Sequence, residues 1–214
     1  MMDPFHRRLI EIGLSAADQY GFALAGGYAV QAYGIVERPS EDVDLFGALD
    51  MDCPAAADHV AEAYRAAGYQ AEILQSTERY VRMWISEPDS DRGCKVEVVA
   101  DVRFRPPVRM GMGPVLHPDD VAAGKTEALF NRALARDFID VDALVESGRY
   151  TRDQLLELAA RRDAGFDRKV FAEMLAYVRR RTDEEFIVYA VDAVEAEAIR
   201  ERFGRWEKEL RKSE

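Results

Sequence analysis

The sequence is poor in the residues that hold soft metals or form crosslinks: its 214 residues include 2 cysteines and 3 histidines. Cys53 and Cys94 lack the paired spacing of a zinc site and are too few for a disulfide framework, so reduced structural thiols are expected. His6, His59 and His117 stand far apart along the chain, which leaves a histidine-based metal cluster without support. Any metal must therefore be held by oxygen. No run approaches the ~18 apolar residues of a membrane span. The start, MMDPFHRRLIEIGL, is broken by charge where a signal peptide keeps an apolar core. A cytoplasmic protein with no membrane partner is the expectation. A basic excess is also missing. The net charge of -11 excludes a general nucleic-acid-coating protein. It leaves room for a local basic surface in ARRDAGFDRK and YVRRRTDEE, which read as solvated helical faces or, alternatively, as a groove for phosphate.

What remains is an ordinary globular composition, 48% hydrophobic and 32% charged, enough for one large domain or two small ones. Its pattern predicts an α+β architecture. Residues 5–19 read as an amphipathic helix, FALAGG as a strand entry, and YAVQAYG as a short helix ended by Gly34. DVDLFG reads as a strand, and AADHVAEAYRAAG as a helix stopped by Gly68. YQAEILQ, RYVRMWIS and CKVEVVAD read as further strands of one mixed sheet, with a hairpin loop at SEPDSDRG. The change to a mainly helical second half falls near RFRPPVRMGMGPVLHPDD, so domains of 1–115 and 116–214 are expected. Helical periodicity then runs through PDDVAAGKTEALFNRALARDFIDVDALVES, and Thr151 offers an N-cap for the next helix.

The chemistry concentrates in FALAGGYAVQAYGIVERPSEDVDLFG, residues 22–47. Strand side chains alternate faces, so Asp42 and Asp44 project together while Val43 and Leu45 enter the core. Two carboxylates in one small volume raise each other's pKa or attract a cation, and this oxygen set suits Mg²⁺. An isolated Asp-x-Asp is also a common surface turn. Gly26 and Gly27 change that balance, because unblocked backbone N–H groups after a strand can approach phosphate oxygens. In KVEVVAD, Lys95, Glu97, Val99 and Asp101 share one face, making Glu97 the third carboxylate and Asp101 the alternative. Two Mg²⁺ ions held by Asp42, Asp44 and Glu97 would then bridge a nucleoside triphosphate for in-line attack by a hydroxyl. Ser40 reads as a turn residue next to Pro39 or as a phosphate contact, and Tyr28 as core or as a base-stacking ring. Arg38 suits a leaving pyrophosphate or an ordinary ion pair.

GGYAVQAYGIVERPSEDVDLF resembles the signature of the DNA polymerase β-like nucleotidyltransferase superfamily, and specifically of the AbiEii/AbiGii toxin family, through Gly26, Gly27, Arg38, Ser40, Asp42 and Asp44. KTEALFNRALARDFIDVDAL is similar to the family's second segment through Lys125, Arg132, Arg136, Asp137 and Asp140. The chain departs from the many members that have Gly-Ser, since Tyr28 follows its two glycines. The resemblance implies a nucleotidyltransferase-type mixed sheet flanked by helices, then a helical region that completes the site. It implies catalysis by Asp42, Asp44, Glu97 and Lys125 with Mg²⁺ and NTP. Gly26, Gly27, Arg38, Ser40, Lys125, Asp137 and Asp140 would bind the nucleotide. It further implies a type IV toxin that transfers NMP to RNA such as the tRNA 3′ end, with a cognate antitoxin. Transfer to an aminoglycoside or lincosamide is the alternative acceptor. A catalytically silent binding module is the third reading.

Overall fold

The computed structural model describes residues 2–212. The chain divides into two compact units, Met1–Tyr33 with Ser40–Pro118, and Gly34–Pro39 with Asp119–Glu214.

The first unit opens with α1 (Pro4–Ala17), β1 (Ala23–Leu24), α2 (Gly26–Ala32), β2 (Asp42–Gly47) and α3 (Cys53–Ala66). Asp3 caps α1 by accepting from the Phe5 and His6 N–H groups, and Asp52 caps α3 by accepting from Ala55. Three longer strands follow, β3 (Gln70–Ser76), β4 (Tyr80–Ser86) and β5 (Gly93–Ala100), then the short β6 (Val108–Met110) and β7 (Gly113–Val115). The seven strands form one mixed sheet in the order β3-β4-β5-β2-β1-β7-β6. β2 runs parallel to β5 and antiparallel to β1, so sequence-distant strands become neighbours at the sheet's centre.

Alternation decides which face is buried. Val43 and Leu45 of β2, Val81, Met83 and Ile85 of β4, and Val96 and Val98 of β5 are all fully buried. α1 and α3 pack on this side, and the Tyr64 hydroxyl on α3 donates to the Leu9 carbonyl on α1 at 2.9 Å. Gly13 permits that approach, because a Cβ there would meet the Tyr64 oxygen at 2.7 Å. The opposite face carries the polar members of each strand. The small β6–β7 hairpin lies within the stretch that reads in sequence as a domain boundary. Three-residue strands interrupted by Gly and Pro are too short to display a period.

The second unit contains α4 (Pro118–Arg132), α5 (Ala135–Glu146), α6 (Arg152–Arg162), α7 (Arg168–Ala176), α8 (Asp183–Ile187) and α9 (Ala193–Lys212). The helical run after Pro118 breaks between α4 and α5, where Ala133 takes φ +48°. Thr151 caps α6, accepting from the Gln154 N–H while the Gln154 side chain accepts from Thr151 in return. Its core joins Phe138, Phe171, Phe186, Phe203 and Trp206, with Ile35 and Val36 packed against it. That packing explains why Gly34–Pro39 belongs to this unit although the chain on either side of it belongs to the first. Among the described residues no helix is long and apolar enough to cross a membrane.

Candidate active site

The central strands of the first unit bring the expected carboxylates onto one face. The β2–β5 register sets Asp42 opposite Lys95 and Asp44 opposite Glu97. Asp101 lies past the end of β5, where its N–H donates to the Gly47 carbonyl. The register thus sets Glu97, and not Asp101, beside Asp44.

Gly26 adjoins the same row. It has φ +61°, and a Cβ built there would fall 1.7 Å from Oδ2 of Asp44. No side chain fits in that space, and the backbone needs the left-handed region that glycine occupies without strain. The Ala25 N–H donates to the Asp44 carbonyl at 2.8 Å, fastening the glycine turn to β2. The glycine pair and the second aspartate are therefore parts of one construction. Tyr28, just beyond, is core: it is 1% exposed, and its hydroxyl donates to the Ser40 carbonyl at 3.0 Å. With its proton used there, the hydroxyl accepts from Nδ1 of His6 at 2.5 Å. Ser40 is thereby held through its backbone at the approach to Asp42.

A lysine stands between the carboxylates. Nζ of Lys95 lies 2.9 Å from Asp42 and 3.6 Å from Glu97. Burial opposes the lysine's charge, yet the hydrogen bond from Lys95 to Asp42 and the charges of Asp42 and Glu97 hold its pKa above the ordinary value. Glu97 also accepts from the Tyr80 hydroxyl at 2.8 Å and from Nε of Arg82 at 3.1 Å. Burial and that bond to Glu97 push the Tyr80 phenol up to about 12. Among the described residues no three His, Cys, Asp or Glu side chains stand close enough to share one metal ion. The donor set nevertheless fits a hard cation in its chemistry, being oxygen alone, and Lys95 shows that this patch attracts positive charge. Cys94, beneath Asp42, is a free thiol raised to about 12 by burial and then by Asp42. It is inert as a nucleophile.

The second unit holds the other predicted residues. Asp140 is fully buried and binds two cations. Nε and Nη2 of Arg38 reach its two oxygens at 2.6 and 2.7 Å, and Nζ of Lys125 lies 2.7 Å away. Burial alone would raise this carboxyl, but Lys125 and the hydrogen-bonded Arg38 hold it below the ordinary carboxylate value. Arg38 is itself buried, with its guanidinium 5.3 Å from the Tyr189 ring centre. Asp137 is fully buried too. It accepts from Arg132 at 2.8 Å and from the Leu134 N–H at 3.0 Å, which fixes the start of α5. The predicted residues thus fall into two sets: Gly26, Gly27, Ser40, Asp42, Asp44 and Glu97 in the first unit, and Arg38, Lys125, Asp137 and Asp140 in the second. Sequence reasoning missed Tyr80, Arg82 and the position of Lys95. The alternation of RYVRMWIS could have found the first two, since Tyr80 and Arg82 share the polar face.

Two solved structures share this fold over nearly their whole length. A candidate nucleotidyltransferase from Helicobacter pylori has 18% identity and a TM-score of 0.61, with 98% of this chain and 96% of that one covered. JHP933 from Helicobacter pylori has 17% identity and a TM-score of 0.57, with 99% and 98% covered. No curated protein sequence matches. The fold is that of a nucleotidyltransferase, a mixed sheet flanked by helices. The family model described as the nucleotidyl transferase AbiEii toxin of type IV toxin–antitoxin systems matches residues 13–213, so the chain belongs to the AbiEii family of nucleotidyltransferase toxins.

Proposed function

We propose that the protein transfers NMP from an NTP to an RNA acceptor such as the tRNA 3′ end in a Mg²⁺-dependent reaction, and that a cognate antitoxin restrains it. The observation that carries the chemistry is the seating of Asp44 against Gly26, with no room for a Cβ. It joins a carboxylate row to a turn whose N–H groups can meet phosphate. Asp42, Asp44 and Glu97 would hold the metal. When bound, it would supply positive charge for the triphosphate and lower the pKa of the acceptor hydroxyl.

The chain's own residues have the remaining roles. Gly26 and Gly27 give backbone donors to the phosphates, and Ser40 precedes the metal-binding pair as a phosphate contact. Lys95, held by Asp42 and Glu97, balances the row's charge until the substrate arrives. The acceptor hydroxyl gives its proton to solvent as its oxygen attacks the α-phosphorus, the bond to the bridging oxygen breaks, and pyrophosphate leaves with the electron pair. For the second unit, we propose that Lys125 binds nucleotide phosphate, while Asp140 fixes Lys125 and Arg38 and Asp137 fixes Arg132. Two cations on one carboxylate leave this cluster with an excess positive charge suited to an anion.

The test is incubation with Mg²⁺, each labelled NTP in turn, and either total tRNA or a panel of aminoglycosides and lincosamides. Label enters RNA, and Asp44→Ala lowers incorporation by at least ~10²-fold, the scale of losing a preorganised electrostatic group. Label found only on an antibiotic overturns the acceptor. No Mg²⁺ binding by calorimetry, together with no transfer to any acceptor, overturns the enzyme reading.

A further inference from the structure

On the polar face of the sheet, one aromatic ring is left uncovered. Trp84 of β4 is 41% exposed and is the single aromatic side chain in the exposed class among the described residues. Its ring is seated all the same. A Cβ at Gly93 would fall 2.3 Å from Cζ2 and 2.5 Å from Cε2 of the indole, so the ring lies against bare β5 backbone. Covering a strand glycine with an aromatic ring stabilises a sheet, which accounts for the anchored side of the indole. The other side of the indole stays in contact with water.

Its neighbours suggest a use for that side. Trp84 pairs with Lys95, which pairs with Asp42, and Arg82 pairs with Glu97, which pairs with Asp44. With strands ~4.8 Å apart, the backbone at Trp84 is roughly 10 Å from that at Asp42. Lys95 lies in this interval and Arg82 stands two residues from Trp84 on β4, both partly exposed, with the Arg82 guanidinium 5.5 Å from the Tyr80 ring centre. In a chain of net charge -11, this places two cations beside an exposed indole, Lys95 between it and Asp42 and Arg82 along its own strand. Aromatic faces interleaved with cations are how single-stranded nucleic acid is held, with bases on the rings and phosphates on the charges. A duplex hides its base faces, so the pattern selects an unpaired end.

We propose that Trp84 is a stacking platform for an unpaired base of the acceptor strand, with Arg82 and Lys95 meeting its phosphates. This rests on the reading of the acceptor as RNA. Intrinsic fluorescence tests it, because the protein has 2 tryptophans and the other, Trp206, is 3% exposed. Short single-stranded oligoribonucleotides are titrated into the full chain without metal or NTP. Emission is followed together with the anisotropy of a labelled oligonucleotide, and far-UV circular dichroism checks that each variant is folded.

Wild-type emission is quenched, and the quenching disappears in Trp84→Phe. Binding weakens about tenfold in Trp84→Ala, the scale of losing one base stack, and less in Trp84→Phe, which keeps a ring. Gly93→Ala also weakens binding, because it displaces the indole while retaining it. Oligonucleotide binding with unchanged emission, and equal affinity in Trp84→Ala, overturns the platform and leaves the RNA reading standing. Quenching by NTP but not by oligonucleotide assigns the ring to the donor base and overturns the acceptor role. No oligonucleotide binding, with transfer to a small molecule, removes the RNA reading and the platform with it.

Discussion

Both units contain a carboxylate bridged by two cations, but they use it differently. In the first unit, Glu97 receives Arg82 and Lys95 at partly exposed positions, and Lys95 also contacts Asp42. In the second, Asp140 receives Arg38 and Lys125 with almost no access to water. Exposed ion pairs contribute little to stability and exchange partners easily. Buried ones are costly to break, because the ion left behind has neither water nor a partner. The difference separates an exposed row whose ion pairs can rearrange from a cluster that must stay assembled.

Asp140→Ala leaves Arg38 and Lys125 buried without their shared anion. We expect a loss of about 3–5 kcal/mol, and hence a fall in Tm of roughly 10 °C, by thermal unfolding. Equal stability would place the cluster with the exposed pairs. Gly26→Ala follows in size. It forces a side chain into the Asp44 carboxylate at a strained φ, and transfer falls by ~10²-fold. The expected loss of stability is about 1–3 kcal/mol. Label incorporation and chemical denaturation together measure both.

Lys95→Met comes third and isolates the first unit's flexibility. Removing the cation between Asp42 and Glu97 tightens Mg²⁺ binding about tenfold, as expected for deleting a like charge several ångströms away at partial exposure. Calorimetry gives the affinity, and weaker binding would reverse the role assigned to this lysine. The smallest effect is at His6. Burial, outweighing Asp3, depresses its pKa below 6.5. The unfolded chain therefore takes up the proton more readily, so the contribution is complete above pH 6.5 and is lost as pH falls through the folded value. Wild-type stability should drop more between pH 7 and pH 5 than that of His6→Phe, compared by urea midpoints.

The sequence makes the first unit's site far more legible than the second's. Strand alternation alone puts Asp42 and Asp44 on one face and Glu97 on the face of its own strand. One parallel register then joins them. The glycine pair was visible as a phosphate turn, but its steric necessity against Asp44 depends on how β1, α2 and β2 meet. Lys95 was visible as a neighbour of Glu97, not as the bridge to Asp42, because cross-strand partners are set by register rather than by spacing. Arg38 and Asp140 are 102 positions apart. No local pattern marks such a pair, so Arg38 read equally well as a substrate contact and as an ion pair. Lys125 reads equally as a solvated helix charge and Asp137 as a partner of Arg136, until the fold buries both and pairs Asp137 with Arg132.

The placement of Gly34–Pro39 with the second unit also sets an order of events during synthesis. Arg38 leaves the ribosome early, yet its carboxylate partner follows 102 residues later. At 5–20 residues per second, that interval is roughly 5–20 s. Throughout it, Arg38 is without Asp140, and the core against which Ile35 and Val36 pack is incomplete. The loop that leads into Asp42 therefore meets its ion-pair partner 102 residues later, and its full apolar packing later still, because the core it joins includes Phe203 and Trp206.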